Sequence, residues 1–212
     1  MSKKMMRIRG IFLTMIFPVV LDSVAEEGEE EGDGKIVSGV EDYRGFIHLY
    51  TGSGKGKTTA ALGLAIRAAG AGMCVYIAQF VKGMHYFEIE ALKRFPEIEL
   101  RQYGLKCFIE KLPSDEDIRA ARTGLKDVSS IIRDNLYNVV ILDEVCIALH
   151  YHLFEADELL DVLKDKPEPM EIILTGRYAP RQLYDIADLV TEMQEIKHYY
   201  QKGIQARKGI EF

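Results

Sequence analysis

The sequence predicts an α/β fold, a mostly parallel sheet with helices on both faces. Two observations carry that prediction. From Gly45 onward, short β-prone runs alternate with helical stretches. A glycine-rich turn, Thr51 to Thr59, joins the first run to the first helical stretch. The 212 residues suffice for one domain with a buried core, and 48% hydrophobic and 28% charged positions exclude a wholly disordered or fibrous chain.

The elements follow in order. Phe46 to Tyr50 is a β-prone run ending in the glycine-rich turn. Thr58 to Ala69 carries Ala, Leu and Ile throughout with no Pro, the composition of a buried helix. Strands are expected at Met73 to Gln79 and around Ile98 to Arg101. A long helix is expected over Ser114 to Leu136, with Ser114 as N-cap and Asp115, Glu116 and Asp117 suiting the positive helix end. Val139 to Leu142 is uniformly apolar, as a central parallel strand covered on both faces must be. Glu155 to Lys164 reads as a helix stopped near Pro167, Glu171 to Thr175 as a strand. A helix from Ala179 to Ala187 and a strand from Leu189 to Glu192 complete the series.

Residues 1–44 read differently and are set apart from the domain expected over 45–212. Lys3, Lys4, Arg7 and Arg9 precede an apolar run, Ile11 to Leu21, and then Ser23-Val24-Ala25, the layout of a secretory signal peptide. That run is shorter than the about 20 apolar residues a bilayer-spanning helix needs, so no stable membrane insertion is expected. The acidic stretch Glu26 to Gly34 has the composition of a disordered linker. The reading preferred over export is an extension, or a start placed too early, ahead of a cytoplasmic domain, where nucleotide is available. The net charge of −6 divides equally between 1–44 and the remainder, and neither part has the basic excess of a nucleic-acid binder. Cys74, Cys107 and Cys146 are odd in number and widely spaced, which argues against a disulfide framework or a zinc site. The histidines form no catalytic or metal-ligating pattern: His150 and His152 on a helix would face different ways, and His48 alternates with apolar residues as a sheet residue does.

The chemistry concentrates at strand ends. Thr51-Gly52-Ser53-Gly54-Lys55-Gly56-Lys57-Thr58-Thr59 lies between strand and helix, where backbone N–H groups converge and the helix end adds partial positive charge. Glycines allow close approach, Lys57 supplies a point charge, and Thr58 a hydroxyl for Mg²⁺. Position 51 is Thr where the strict phosphate-loop pattern has Gly. Asp143-Glu144 ends an apolar strand at the same edge, so one of the two is expected to hold Mg²⁺ directly or through water. Thr175-Gly176-Arg177 leaves another strand there, and Arg177 is placed to neutralise charge on a triphosphate. Gln79-Phe80-Val81-Lys82-Gly83 leaves a further strand and is a candidate lining for a second substrate. No side chain is assignable as a nucleophile.

Tyr50 to Ala61, the Gln79-Phe80-x-Lys82-Gly83 run and Leu142-Asp143-Glu144, in this order, resemble the CobA/CobO/BtuR family of ATP:corrinoid adenosyltransferases. Thr175-Gly176-Arg177, Ala187-Asp188-x-Val190-Thr191-Glu192-Met193 and the ending Gly203 to Phe212 fit too. The resemblance covers Gly45 to Phe212 and implies a P-loop NTPase-like (RecA-like) α/β fold. It implies transfer of the 5′-deoxyadenosyl group of ATP to Co(I) of a corrinoid with release of triphosphate, in adenosylcobalamin biosynthesis or salvage. ATP, Mg²⁺ and the corrinoid are then the small molecules, with a flavoprotein-type reductant for cobalt and a cytoplasmic homodimer. By the same resemblance Gly52 to Thr58, Thr59, Arg67 and Arg177 bind ATP, Thr58 and Glu144, with Asp143, hold Mg²⁺, and Lys57, Glu144 and Arg177 act in catalysis. Arg67 lies nine residues past Thr58, ~13 Å along a helix. Gln79, Lys82, Leu105 and Phe108 are the candidates at the corrinoid. The chain departs from the family in having no Trp in Tyr103 to Phe108, or anywhere. The residues taken alone leave open an ATP hydrolase or small-molecule kinase, and a non-catalytic nucleotide- or corrinoid-binding protein.

Overall fold

The computed structural model describes residues 43–105 and 112–211. The extension expected over 1–44 lies outside the described residues except for Tyr43 and Arg44, as do Cys107 and Phe108. The strands are β1 (Ile47–Thr51), β2 (Val75–Phe80), β3 (Ile98–Tyr103), β4 (Val139–Asp143), β5 (Glu171–Thr175) and β6 (Leu189–Glu192). The helices are α1 (Lys57–Gly70), α2 (Phe87–Leu92), α3 (Asp115–Asp134), α4 (Val145–His150), α5 (Ala156–Lys164) and α6 (Arg181–Ile186). The strands form one sheet in the order β3-β2-β4-β5-β1-β6, with every neighbouring pair parallel.

Side-chain alternation sorts the strands' residues between two apolar cores. Tyr76, Ala78 and Phe80 of β2, with Val140 and Leu142 of β4 and Ile172 and Leu174 of β5, pack with residues of α3, α4 and α5. Val75, Ile77, Val139, Ile141 and Ile173 point the other way, toward Leu92 of α2 and Ala61, Leu62, Ala65, Ala68 and Ala69 of α1. The small alanine side chains let α1 lie close on the sheet, which brings its first turn to the carboxyl edge. All five residues of β4 are buried, as expected of its apolar run.

The expected and observed boundaries differ where local hydrogen bonds decide. Ser114 caps α3 as foreseen: its hydroxyl accepts the Asp117 N–H at 3.2 Å, while the Asp117 carboxylate accepts the Ser114 N–H at 2.8 Å. Asn135, at φ 50°, ends α3 two residues after Arg133, short of Leu136. Strand β2 starts at Val75 because the Met73 N–H is committed to the turn after α1, donating to the Ala68 carbonyl at 3.0 Å. Pro180 caps α6, and a residue before proline is kept out of the helical region, so Ala179 stays outside. Helices α2 and α4 were not foreseen; each is six residues, too short to show a period. His152 lies past the end of α4 at φ 52°, so the two histidines do not share a helix. Among the described residues no helix is long and apolar enough to cross a membrane.

Candidate active site

The loop between β1 and α1 is shaped partly by the other end of the chain. Gly54 N–H donates to the Met193 carbonyl at 2.6 Å, just beyond β6. Gly52 sits at φ 97°, and a Cβ there would come 2.4 Å from that same carbonyl oxygen, so only glycine fits. Gly56 is the N-cap of α1 and has no side chain to cap with. The first-turn N–H groups of Lys57, Thr58 and Thr59 therefore have no intrahelical partner and face the edge, an anion site by construction. Lys57 is 6% exposed and folds back over the loop, its Nζ donating to the carbonyls of Gly52 at 2.8 Å and Gly54 at 2.6 Å. Burial, reinforced by the Arg177 charge, lowers the Lys57 pKa.

Asp143, at the end of β4, is completely buried and organises the centre. Its Oδ1 accepts the hydroxyls of Thr58 and Thr175, each at 2.8 Å. Its Oδ2 accepts Lys82 Nζ at 2.7 Å and Gln79 Nε2 at 3.2 Å. The carboxylate thus fastens α1, β2, β5 and the turn after β2 to β4. Glu144 follows at φ 60°, a left-handed conformation, with its N–H held by Thr175 Oγ1 at 2.9 Å. No side chain among the described residues hydrogen-bonds the Glu144 carboxylate, and burial together with the Asp143 charge raises its pKa. Among the described residues no three His, Cys, Asp or Glu side chains gather into a metal cluster. A cation here would have Glu144, Thr58 and Asp143 for partners and take phosphate and water oxygens besides, which suits Mg²⁺.

Arg177 follows β5 and is exposed, with no ion-pair partner among the described residues. It lines a cleft of about 280 Å³ with Thr51, Gly52, Ser53, Tyr178 and Glu192 among others. Lys57, Arg177 and Glu144 lie within electrostatic reach of one another. Lys57, Arg177 and the α1 end can hold a polyphosphate there.

The remaining expected residues scatter. Ser53 is exposed, its Oγ accepting the Glu195 N–H at 3.4 Å, and Thr59 is exposed in the first turn of α1. Lys55 points toward the carboxy-terminal segment, where its Nζ reaches Glu211 at 2.7 Å and the Ile210 carbonyl at 3.0 Å. Arg67 lies exposed in the last turn of α1, at the far end from the loop. Gln79 is fully buried beneath Asp143, and Gln102 donates to its Oε1 at 3.3 Å. Leu105 is half-buried, just before residues 106–111, which lie outside the described set together with Phe108. Sequence reasoning gave Thr175 no role, although it touches both Asp143 and Glu144. A polar residue closing the otherwise apolar Ile172-Ile173-Leu174 run was the available signal. His85 pairs with Glu90, and His198 caps a short 3-10 turn over Tyr199–Lys202.

Residues 43–212 match the sequence model of the family described as ATP:corrinoid adenosyltransferase BtuR/CobO/CobP. A corrinoid adenosyltransferase of Sinorhizobium sp is 37% identical over 182 residues, covering 84% of this chain and 85% of its own length. The protein of that name from Pseudomonas aeruginosa is 36% identical over 173 residues, 81% of this chain and 85% of its own. The Escherichia coli protein of that name is 30% identical over 184 residues, 87% of this chain and 93% of its own.

Proposed function

The chain belongs to the ATP:corrinoid adenosyltransferase family, and on that premise we propose how its residues serve the reaction. The enzyme transfers the adenosyl group of ATP to a corrinoid. In our reading, Co(I) of the reduced corrinoid attacks ribose C5′. The cobalt–carbon bond forms with the cobalt electron pair as the C5′–oxygen bond breaks, and triphosphate leaves. The substrate is its own nucleophile, which agrees with a site that offers cations and, among the described residues, no Ser or Cys paired with a base.

The protein's work is then to bind and orient. Gly52 to Thr58 wrap the triphosphate, and Lys57 exchanges the Gly52 and Gly54 carbonyls for phosphate oxygens. Arg177 offsets the charge that grows on the leaving group. Thr58 and Glu144, with Asp143, would hold Mg²⁺, and Asp143 also fixes the Thr58 hydroxyl. Mg²⁺ supplies positive charge to the phosphate oxygens and a template for their geometry. Leu105 and Phe108 are our candidates for apolar contact with the corrinoid, and Gln79 and Lys82, which hydrogen-bond Asp143, would act on it only through that carboxylate. Following the resemblance, we take the enzyme to be a cytoplasmic homodimer supplied with Co(I) by a flavoprotein-type reductant.

The observation that carries this reading is that Lys57, beside the uncapped α1 end, lies within electrostatic reach of Arg177 and of Glu144, whose carboxylate no side chain among the described residues hydrogen-bonds. The test is an anaerobic assay with ATP, Mg²⁺ and chemically reduced cobalamin, following the corrinoid spectrum and the phosphate products. A light-sensitive alkyl-cobalt species with one triphosphate per transfer is expected. ADP with an unchanged corrinoid would replace the reading by a hydrolase or kinase. Bound ATP without turnover, on precursor corrinoids as well, would indicate a binding protein.

A further inference from the structure

The geometry points to Lys82 as a built-in cation of the metal pocket, one that occupies Asp143 and Thr58 until a metal–nucleotide complex displaces it. The inference rests on the reading that Thr58, Asp143 and Glu144 receive Mg²⁺. Lys82 Nζ stands 2.7 Å from Asp143 Oδ2 and 3.3 Å from Thr58 Oγ1. It therefore touches two of the three side chains assigned to the ion. The pair is shielded: the side chains of Lys82 and Asp143 are 13% and 0% exposed.

The backbone aims this lysine. Val81, immediately before it, sits at φ 58°, a conformation that a β-branched residue adopts only when its surroundings impose it. The surroundings are the chain leaving β3. A Cβ on Gly83 would lie 2.3 Å from the Gly104 carbonyl oxygen, and one on Gly104 would lie 2.5 Å from the Lys82 nitrogen. Two strand exits are thus pressed backbone to backbone, and the stem of Lys82 starts from that clamp. The Tyr86 ring, centred 5.3 Å from Nζ, faces the ammonium in this same position.

A free divalent ion meets a carboxylate that is already neutralised and a tethered charge that repels it. An ion arriving on ATP brings its own phosphate oxygens, and the triphosphate gives the displaced ammonium a new partner. Metal alone should therefore bind weakly and metal with nucleotide well.

The test is a Mn²⁺ titration of the nucleotide-free full chain, with free Mn²⁺ read by electron paramagnetic resonance and folding checked by circular dichroism. Lys82→Met should bind Mn²⁺ at least about tenfold more tightly than the wild type, about 1.4 kcal/mol. Adding Thr58→Val to Lys82→Met should remove the gain. Equal affinities in folded wild type and Lys82→Met overturn the proposal, as does a gain that survives Thr58→Val. If Lys82→Met does not fold, Val81→Gly decides, because it keeps the lysine but loosens its aim. A rise of a few-fold is then expected, and an unchanged affinity overturns the proposal. The metal assignment is tested separately by ATP affinity of the wild type with and without Mn²⁺. No difference there removes the assignment, whatever Lys82 does.

Discussion

Thr175→Val keeps the shape of a fully buried side chain and deletes one hydroxyl. That hydroxyl donates to Asp143 at 2.8 Å and accepts the Glu144 N–H at 2.9 Å. Losing a hydrogen bond to an ionised carboxylate costs about 1.5–3 kcal/mol, and orphaning a buried N–H a further 1–3 kcal/mol. Together the variant should lose about 3–5 kcal/mol, or about 10 °C in Tm for a domain of this size. Function should suffer separately, because that N–H bond helps to hold Glu144 at φ 60°. Adenosyl transfer should fall by about ten- to a hundredfold through displacement of the carboxylate. Thermal melts with the anaerobic transfer assay measure both effects, and Thr175→Ser, which keeps the hydroxyl, should remain near wild type. A Thr175→Val protein within about 1 kcal/mol of wild type and fully active would refute the reasoning.

Other perturbations probe other parts of the molecule. Lys57→Ala and Glu144→Ala should each cut transfer by about a hundredfold or more while leaving the circular dichroism spectrum unchanged; near-normal turnover in both would remove the assigned roles. Gly124→Ala should destabilise by about 1–3 kcal/mol in urea melts, since a Cβ there would lie 2.6 Å from Tyr103 Cγ and 2.9 Å from Phe80 Cε1 in the packed face of α3. The Glu171 carboxyl offers a pH test. Burial pushes its pKa up, but hydrogen bonds from His48, the Phe46 N–H and Tyr43 prevail and hold it below the usual 4.5. A depressed folded pKa stabilises above the unfolded value, and the benefit is lost as pH falls through the folded one. Urea midpoints of wild type and Glu171→Gln should therefore differ most at neutral pH and converge below about pH 4.5; a gap that is constant or widens on acidification would contradict it.

Much of this was legible in the residues because pattern and chemistry coincide. The glycine-rich loop after β1, the acidic pair after an apolar strand and the arginine after β5 declare themselves through short spacings next to elements of clear type. The α3 N-terminus was equally plain, since Ser114 and Asp117 cap each other locally. Long-range partners left no such trace. Thr175 and Lys82 meet Asp143 across 32 and 61 residues, contacts created by the strand order β2-β4-β5. Hydrophobic alternation predicts which face a residue takes, not which strand lies beside it. Nor does any pattern announce that Gly83 and Gly104 meet, because a glycine needed for close approach looks like one needed for a turn.

The placement of β1 has a consequence for how the chain reaches its native state. Its neighbours in the sheet are β5 and β6, more than a hundred residues downstream, and the loop it carries leans on Met193. Strands β2, β3 and β4, by contrast, pair among themselves within the middle of the chain. During synthesis the glycine-rich loop emerges early, but β1 cannot pair until β5 follows, and Gly54 has no Met193 carbonyl to bond until β6 has passed. Such distant pairings are slow to close. A nascent chain arrested before β6 should therefore carry the whole loop sequence without the Met193 contact that shapes it.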